Sequence, residues 1–123
     1  MTGLLRMVRT TSTNTPDFDR SVLVGLFGSD GAIIGSVLRT YQQSTGIALA
    51  ELCQAVGNGQ ADLACAIAHR IKGASRMSGA VAVGEGAASV ERAARERDLV
   101  AAAAGLAQLE ADWLRLQTHI ATG

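Results

Sequence analysis

Between residues 30 and 56 the stripe Ile34, Leu38, Tyr41, Thr45, Ala48, Leu52 and Ala55 recurs at alternating spacings of four and three. That rhythm keeps one face of a helix of about 3.6 residues per turn toward a core, whereas a strand would alternate strictly. Gly57-Asn58-Gly59 stops this helix and permits a tight antiparallel return. A third segment, 60–78, gathers Leu63, Ala66, Ile67, Ile71, Ala74 and Met77 on one side at about 100° per residue. Gly79 ends it. A looser helix over 81–97, interrupted by Gly84 and Gly86, carries Glu91/Arg95 and Arg92/Glu96 as exposed i,i+4 pairs. Asp98 caps a last helix with the seam Leu99, Ala102, Leu106, Leu109, Trp113, Leu116 and Ile120.

Upstream, Asp17 or Asp19 caps a short helix with Val22, Leu23, Leu26 and Phe27 as its apolar face, and Gly28-Ser29-Asp30-Gly31 breaks it. Residues 10–16 are hydroxyl-rich and end in the only proline, which suits a linker. The expected organisation is a flexible tail or linker over 1–16 and one domain over 17–123. Short connections between long amphipathic helices favour antiparallel neighbours. The expected fold is therefore all-α: an antiparallel up-down four-helix bundle with a short additional N-terminal helix.

Composition supports the helical reading, since much of the 48% hydrophobic content is alanine and only 3% of residues are aromatic. Basic and acidic residues balance at 11 each. No basic field exists to hold nucleic acid by counterion release, so partner choice must come from local patches. Cys53 and Cys65 lack metal-site or redox spacing and read as buried, reduced thiols. No apolar run approaches the roughly 20 residues of a membrane span, and the stretch within Met1–Arg9 is too brief for a secretory signal. A cytoplasmic location is expected, with no direct membrane insertion.

The chemistry falls on the third helix, in Ala68-His69-Arg70-Ile71-Lys72-Gly73-Ala74-Ser75-Arg76-Met77-Ser78-Gly79. His69 lies opposite the apolar side, with Asp62, Cys65, Lys72, Gly73 and Arg76 as its neighbours on the exposed face. A neutral imidazole near pH 7 is a nitrogen nucleophile that needs no separate base, and no second catalytic residue is evident nearby. Lys72 supplies a mobile positive charge for phosphoryl oxygens, and Arg76 adds to the same field. Gly73 costs the helix about 1 kcal/mol relative to alanine but clears room for another protein's surface. Arg70 sits nearer the core edge, with its stem packed and its head reaching water. Singly, each feature is ordinary: a surface histidine is usually just polar, and a helical glycine usually a packing contact. Their joint occurrence on one face is what changes the reading.

His69-Arg70-Ile71-Lys72-Gly73-Ala74-Ser75, followed by Gly79, resembles the H-x-[IL]-K-G-[SA]-[SA] signature of histidine-containing phosphotransfer (HPt) domains. The resemblance covers about 18–120 as helix pattern, with its specificity in 69–79. The Arg76-Met77 step and alanine-rich context are most similar to the C-terminal module of hybrid virulence-sensor kinases. The resemblance implies phosphorylation of His69 with Lys72 and Gly73 as supporting neighbours. It also implies docking of response-regulator receiver domains, which bring the Mg2+ while this chain binds no cofactor. Phosphoryl groups would pass from one receiver aspartate to His69 and on to another, with a hybrid sensor kinase as an upstream source. Nothing in the chain resembles an ATP site, so self-phosphorylation is not expected, and the domain is expected to be monomeric.

Two other readings compete: a helical module that docks receivers without phosphotransfer, and a helical scaffold whose motif is accidental. A metal-binding bundle needs inward Glu and His ligands, which the apolar stripes lack. His119 sits where a cation favours the helix dipole and reads as structural. Ser75, Ser78 and Gly79 read as helix-packing positions rather than phosphorylation sites.

Overall fold

The computed structural model describes residues 15–122, so the tail expected over 1–16 lies, as far as residue 14, outside the described residues. Five helices follow one another: α1 (Arg20–Phe27), α2 (Gly31–Gly57), α3 (Ala61–Met77), α4 (Val81–Arg95) and α5 (Leu99–Thr122). The first two begin at aspartates whose carboxylates take up an otherwise orphaned N–H: Asp19 accepts from Ser21 at 3.0 Å and Asp30 from Ala32 at 2.9 Å. Asp98 does the same for Ala101 of α5 at 3.0 Å, as its position in the sequence suggested.

The three turns within the bundle share one geometry. Gln60, Ala80 and Asp98 each donate their backbone N–H to a carbonyl five residues back, on Ala55, Ser75 and Ala93, at 2.9 Å each. The residue before each donor has positive φ: Gly59 (+71°), Gly79 (+78°) and Arg97 (+60°). This is the Schellman stop, for which glycine is the unstrained choice. Arg97 adopts it without that freedom, and its guanidinium pairs with Asp62 at 3.0 Å. The fourth helix accordingly ends at Arg95, two residues before the sequence-based limit.

α2 packs against α3, α3 against α4, α4 against α5, and α5 back against α2, closing a four-helix ring. α1 meets the start of α2 at 115° and lies across that end. Leu52, Ile71, Val83, Val90, Leu109 and Leu116 are fully buried in the main core. Each large aliphatic side chain so buried contributes about 1.5–3 kcal/mol. Leu23, Ile34 and Leu38 form a smaller cluster beneath α1, and Phe18 packs against both. No single helix among the described residues is long and apolar enough to cross a membrane.

Several expected faces are shifted. In α3 the buried set is Ala61, Ala64, Ile67, Ala68, Ile71 and Ser75, while Leu63, Ala66, Ala74 and Met77 are exposed. Small side chains hold the interface because α3 and α4 approach closely, and bulk was a poor guide to which side faces inward. Met77, 62% exposed, lines a groove with Phe27 and Tyr41 instead. In α1 only Leu23 is fully buried, with Leu26 and Phe27 exposed, because a two-turn helix meets the bundle along a narrow strip. In α2 Ala48 is half-buried and Leu49 takes the interior position.

The glycines expected to loosen α4 do not interrupt it. A Cβ on Gly84 would meet Ser75 and Arg76 of α3 at 3.5–3.6 Å, and one on Gly86 would lie 3.2–3.4 Å from Leu109 and Asp112 of α5. These positions let α4 lie close to both neighbours, which compensates for glycine's poor helix propensity. Arg92 reaches Ser89, and among the described residues no ion pair joins it to Glu96. The thiols are half-buried rather than buried, and Cys53 donates to Glu110 at 3.3 Å.

Candidate functional site

His69 stands midway along α3, on the flank that faces α4. Its side chain is 66% exposed, as the opposition to the apolar stripe predicts. The ring is nevertheless anchored: Nδ1 lies 2.9 Å from Oε2 of Glu91 on α4. An ionised carboxylate can only accept, so Nδ1 carries the proton and donates. Nε2 is then the nitrogen with an open lone pair, and the ring's hydrogen bond to Glu91 leaves it unused.

Glu91 is the centre of the site. Its side chain is 5% exposed, yet it receives three donors: His69 Nδ1, Lys72 Nζ at 2.6 Å and Arg95 Nη2 at 2.8 Å. Burial alone would raise its pKa, but the hydrogen bonds and charges of Lys72 and His69 outweigh that and hold it below the usual carboxylate value. Glu91, Lys72 and Arg95 together carry one positive charge in excess beside an exposed nucleophile.

Three sequence expectations are corrected here. Glu91 was expected as the exposed half of a surface pair with Arg95; the pair forms, but its carboxylate is interior. His69 therefore does have a second functional group beside it. The signal was available: Val83, Ala87, Val90 and Ala94 are the buried stripe of α4, and Glu91 lies next to Val90 and one turn from Ala87. Lys72 is not a freely mobile charge either, because it is 21% exposed and tethered to Glu91. Its ammonium is held on the same carboxylate as the ring, each on a different oxygen.

The other residues singled out on α3 divide. Gly73 and Arg76 share the exposed flank with His69, and a Cβ on Gly73 would meet nothing within 4 Å. Cys65 is half-buried one turn before His69. Asp62 is exposed but turned to Arg97 at the helix start, away from the imidazole. Arg70 does not pack its stem at the core edge; it is exposed and pairs with Glu51 of α2 at 3.4 Å. Ser75 is fully buried, its hydroxyl 2.7 Å from that of Tyr41. Burial pushes the Tyr41 phenol up to about 12, against the opposing hydrogen bonds of Ser75 and Thr45. Ser78 is buried too, and Gly79 forms the turn after α3. His119, in the last turn of α5, packs its ring against Phe18 at 6.0 Å. No group of three or more His, Cys, Asp or Glu among the described residues is placed to hold a metal ion.

An exposed imidazole with one nitrogen held by a buried carboxylate and a cation alongside suits transient covalent capture of an anionic group. Comparison with known proteins bears on the same point. No curated protein matches the chain by sequence. Histidine-containing phosphotransfer protein B from Pseudomonas aeruginosa PAO1 superposes with a TM-score of 0.80 at 26% identity, covering 87% of this chain and 93% of that one. The histidine-containing phosphotransfer protein ZmHP2 from maize has the same fold, with a TM-score of 0.74 at 17% identity and coverage of 86% and 78%. The family model of the Hpt domain matches residues 36–119, a span that holds all of α3 and α4 and most of α2 and α5. On that match, which takes in more than half of the chain, this protein belongs to the Hpt domain family and is a phosphorelay intermediate.

Proposed function

We propose that His69 accepts the phosphoryl group through Nε2, taking it from the aspartyl phosphate of one receiver domain and yielding it to the aspartate of another. In the forward step a P–N bond forms at Nε2 as the P–O bond to the donor aspartate breaks, and that carboxylate leaves with the electron pair. The Nδ1 proton stays shared with Glu91 throughout. As Nε2 gives up its lone pair the ring gains positive charge, which the Glu91 carboxylate is already in place to stabilise. Lys72 lies beside the incoming phosphoryl oxygens, and Arg95 keeps Glu91 neutralised if the ammonium turns from it to them. The reverse sequence of bonds discharges the group to the next receiver.

A Mg2+ held by the receiver would offset charge on the phosphoryl group; this chain's part is to orient the ring and shape the field. The bare surface over Gly73 gives the receiver its approach, with Arg76 and Cys65 as contacts on the same helix and Asp62, paired with Arg97 at the helix start, at the far edge of that surface. The donor receiver belongs to a hybrid sensor kinase or a separate response regulator, and the chain works as a monomer in the cytoplasm. The observation that carries this reading is the 2.9 Å contact between Nδ1 and a buried carboxylate, which defines a single outward nitrogen.

The test is incubation with a phosphorylated receiver domain and Mg2+, following the label. The expected product is acid-labile, base-stable, and absent from His69→Gln. Acid-stable label, or label that survives His69→Gln, would overturn the assignment. Receiver binding without any transfer would support a docking module in its place.

A further inference from the structure

The segment before α1 is tied to the α3–α4 turn more firmly than its linker-like sequence suggests. The Asp19 N–H donates to the Gly79 carbonyl at 2.7 Å, and Ala82 N–H, in the first turn of α4, donates to the Pro16 carbonyl at 3.0 Å. Thr15 Oγ1 lies 3.4 Å from Glu85, and Asp17 takes Arg115 of α5 at 3.3 Å. α4 has alanine at its N-cap and no side-chain cap, so the Pro16 carbonyl occupies the place a capping side chain would fill. Gly79 is required for this seating on two counts: its φ is +78°, and a Cβ there would lie 2.3 Å from the Asp19 carbonyl oxygen.

We propose that residues 15–19 are a strap that sets the seating of α4 against α3, and that displacing it shifts Glu91 relative to His69 and slows phosphotransfer. The inference rests on His69 being the acceptor. The α3–α4 contact near the turn is smooth, with Gly84 lying against Ser75 and the stem of Arg76, so side-chain interlocking does little there to fix axial register. Near the turn register is held by the Schellman bond from Ala80 to Ser75 together with the strap, and further along α4 by the bonds from Glu91 to His69 and Lys72. A change at the first is transmitted along α4 to the second. Chain entering the domain through residue 15 thereby gains a physical route to the acceptor site, and tension or a bound partner on that upstream chain is the class of signal it would read.

Gly79→Ala in the full chain displaces the strap. Gly59→Ala is its control, because Gly59 has a similar φ of +71° but only the tip of Leu99, at 3.8 Å, near its Cβ position. Asp17→Ala removes one tie without backbone strain and decides the matter alone if Gly79→Ala does not fold. The readouts are amide hydrogen exchange at Ala82, the 15N resonances of the His69 imidazole, and the transfer rate from a phosphorylated receiver. In Gly79→Ala, Ala82 exchange should accelerate about tenfold, the His69 resonances should move, and transfer should slow about fivefold; Asp17→Ala should show smaller changes of the same sign. Gly59→Ala should leave all three near wild type. Unchanged Ala82 protection, faster Ala82 exchange with unchanged imidazole and transfer, or equal losses in Gly59→Ala would each overturn the strap. If wild type itself accepts no phosphoryl group, it is the His69 assignment that has failed, a result distinct from these.

Discussion

Replacing Glu91 by glutamine keeps the side-chain volume and removes the charge, which isolates what the buried carboxylate does. In the native chain Glu91 accepts from His69, Lys72 and Arg95. A glutamine offers one carbonyl oxygen to these three donors, and its amide N–H groups face cations. A hydrogen bond to a charged acceptor contributes about 1.5–3 kcal/mol where both partners are buried. Here the His69 ring is 66% exposed, so solvent screens the pair and about 1–1.5 kcal/mol is the better figure. Because the ring gains positive charge as Nε2 attacks, most of that loss should fall on the transition state. About 1.4 kcal/mol is one factor of ten in rate. Glu91→Gln should therefore slow phosphoryl acceptance about tenfold, measured by rapid-quench transfer from a phosphorylated receiver. Glu91→Ala, which also leaves Lys72 without its partner in a largely covered site, should cost about 2 kcal/mol of stability, between the values for surface and buried pairs. Thermal melting followed by circular dichroism checks that separately. If Glu91→Gln transfers within twofold of wild type while Glu91→Ala melts lower, the carboxylate is a structural clamp and its proposed part in the transfer is refuted.

Gly73→Ala should stabilise the chain by about 0.5–1 kcal/mol, since the position is helical and open, whereas Gly73→Leu should fold as well and fail to accept from a receiver. Normal transfer by the leucine variant would remove the clearance role of Gly73. Ser75→Ala should cost about 1 kcal/mol by removing one of the two partners of the buried Tyr41 hydroxyl, Thr45 being the other, and Tyr41→Phe in the same chain should recover part of it in a double-mutant cycle. Independent, additive losses would show that the two hydroxyls are not coupled. Glu91 also predicts an acid limb. Its pKa is depressed on folding, so its contribution is present above the ordinary 4.5 and is lost as pH falls through the lower folded value. Stability should thus fall below about pH 4.5 in wild type and fall less in Glu91→Gln; identical limbs would contradict it. His69→Gln gives up the Nδ1 bond to Glu91 while Lys72 and Arg95 still pair with that carboxylate, so it should cost no more than about 1.5 kcal/mol, and a larger loss would contradict the exposed placement of the ring.

The helices were legible because their stripes are long and their ends carry strong local chemistry: Asp19 and Asp98 as caps, Gly28, Gly59 and Gly79 as breaks; Asp30, read only as part of a break, caps α2. The stop at Arg97 was not, since an arginine with positive φ gives no signal in sequence. The face of α3 was misjudged because close approach to α4 favours Ala64, Ala68 and Ser75 over the larger Leu63 and Met77, so volume and burial part company there. His69, Lys72 and Gly73 could be found from one helix and its periodicity. Glu91 could not be paired with His69 the same way, because the two residues lie 22 positions apart on different helices and their contact depends on how far each helix rotates. The strap was hidden for a related reason: the groups that hold it at Pro16, Asp19, Gly79 and Ala82 are backbone carbonyls and N–H groups, which carry almost no signal of residue type.

The most direct measurement is 15N and 31P NMR of the phosphorylated chain with 15N-labelled histidine. The account predicts phosphorus coupled to Nε2 of His69, with Nδ1 still protonated and hydrogen-bonded to Glu91. Phosphorus on Nδ1, or on any residue other than His69, would contradict it.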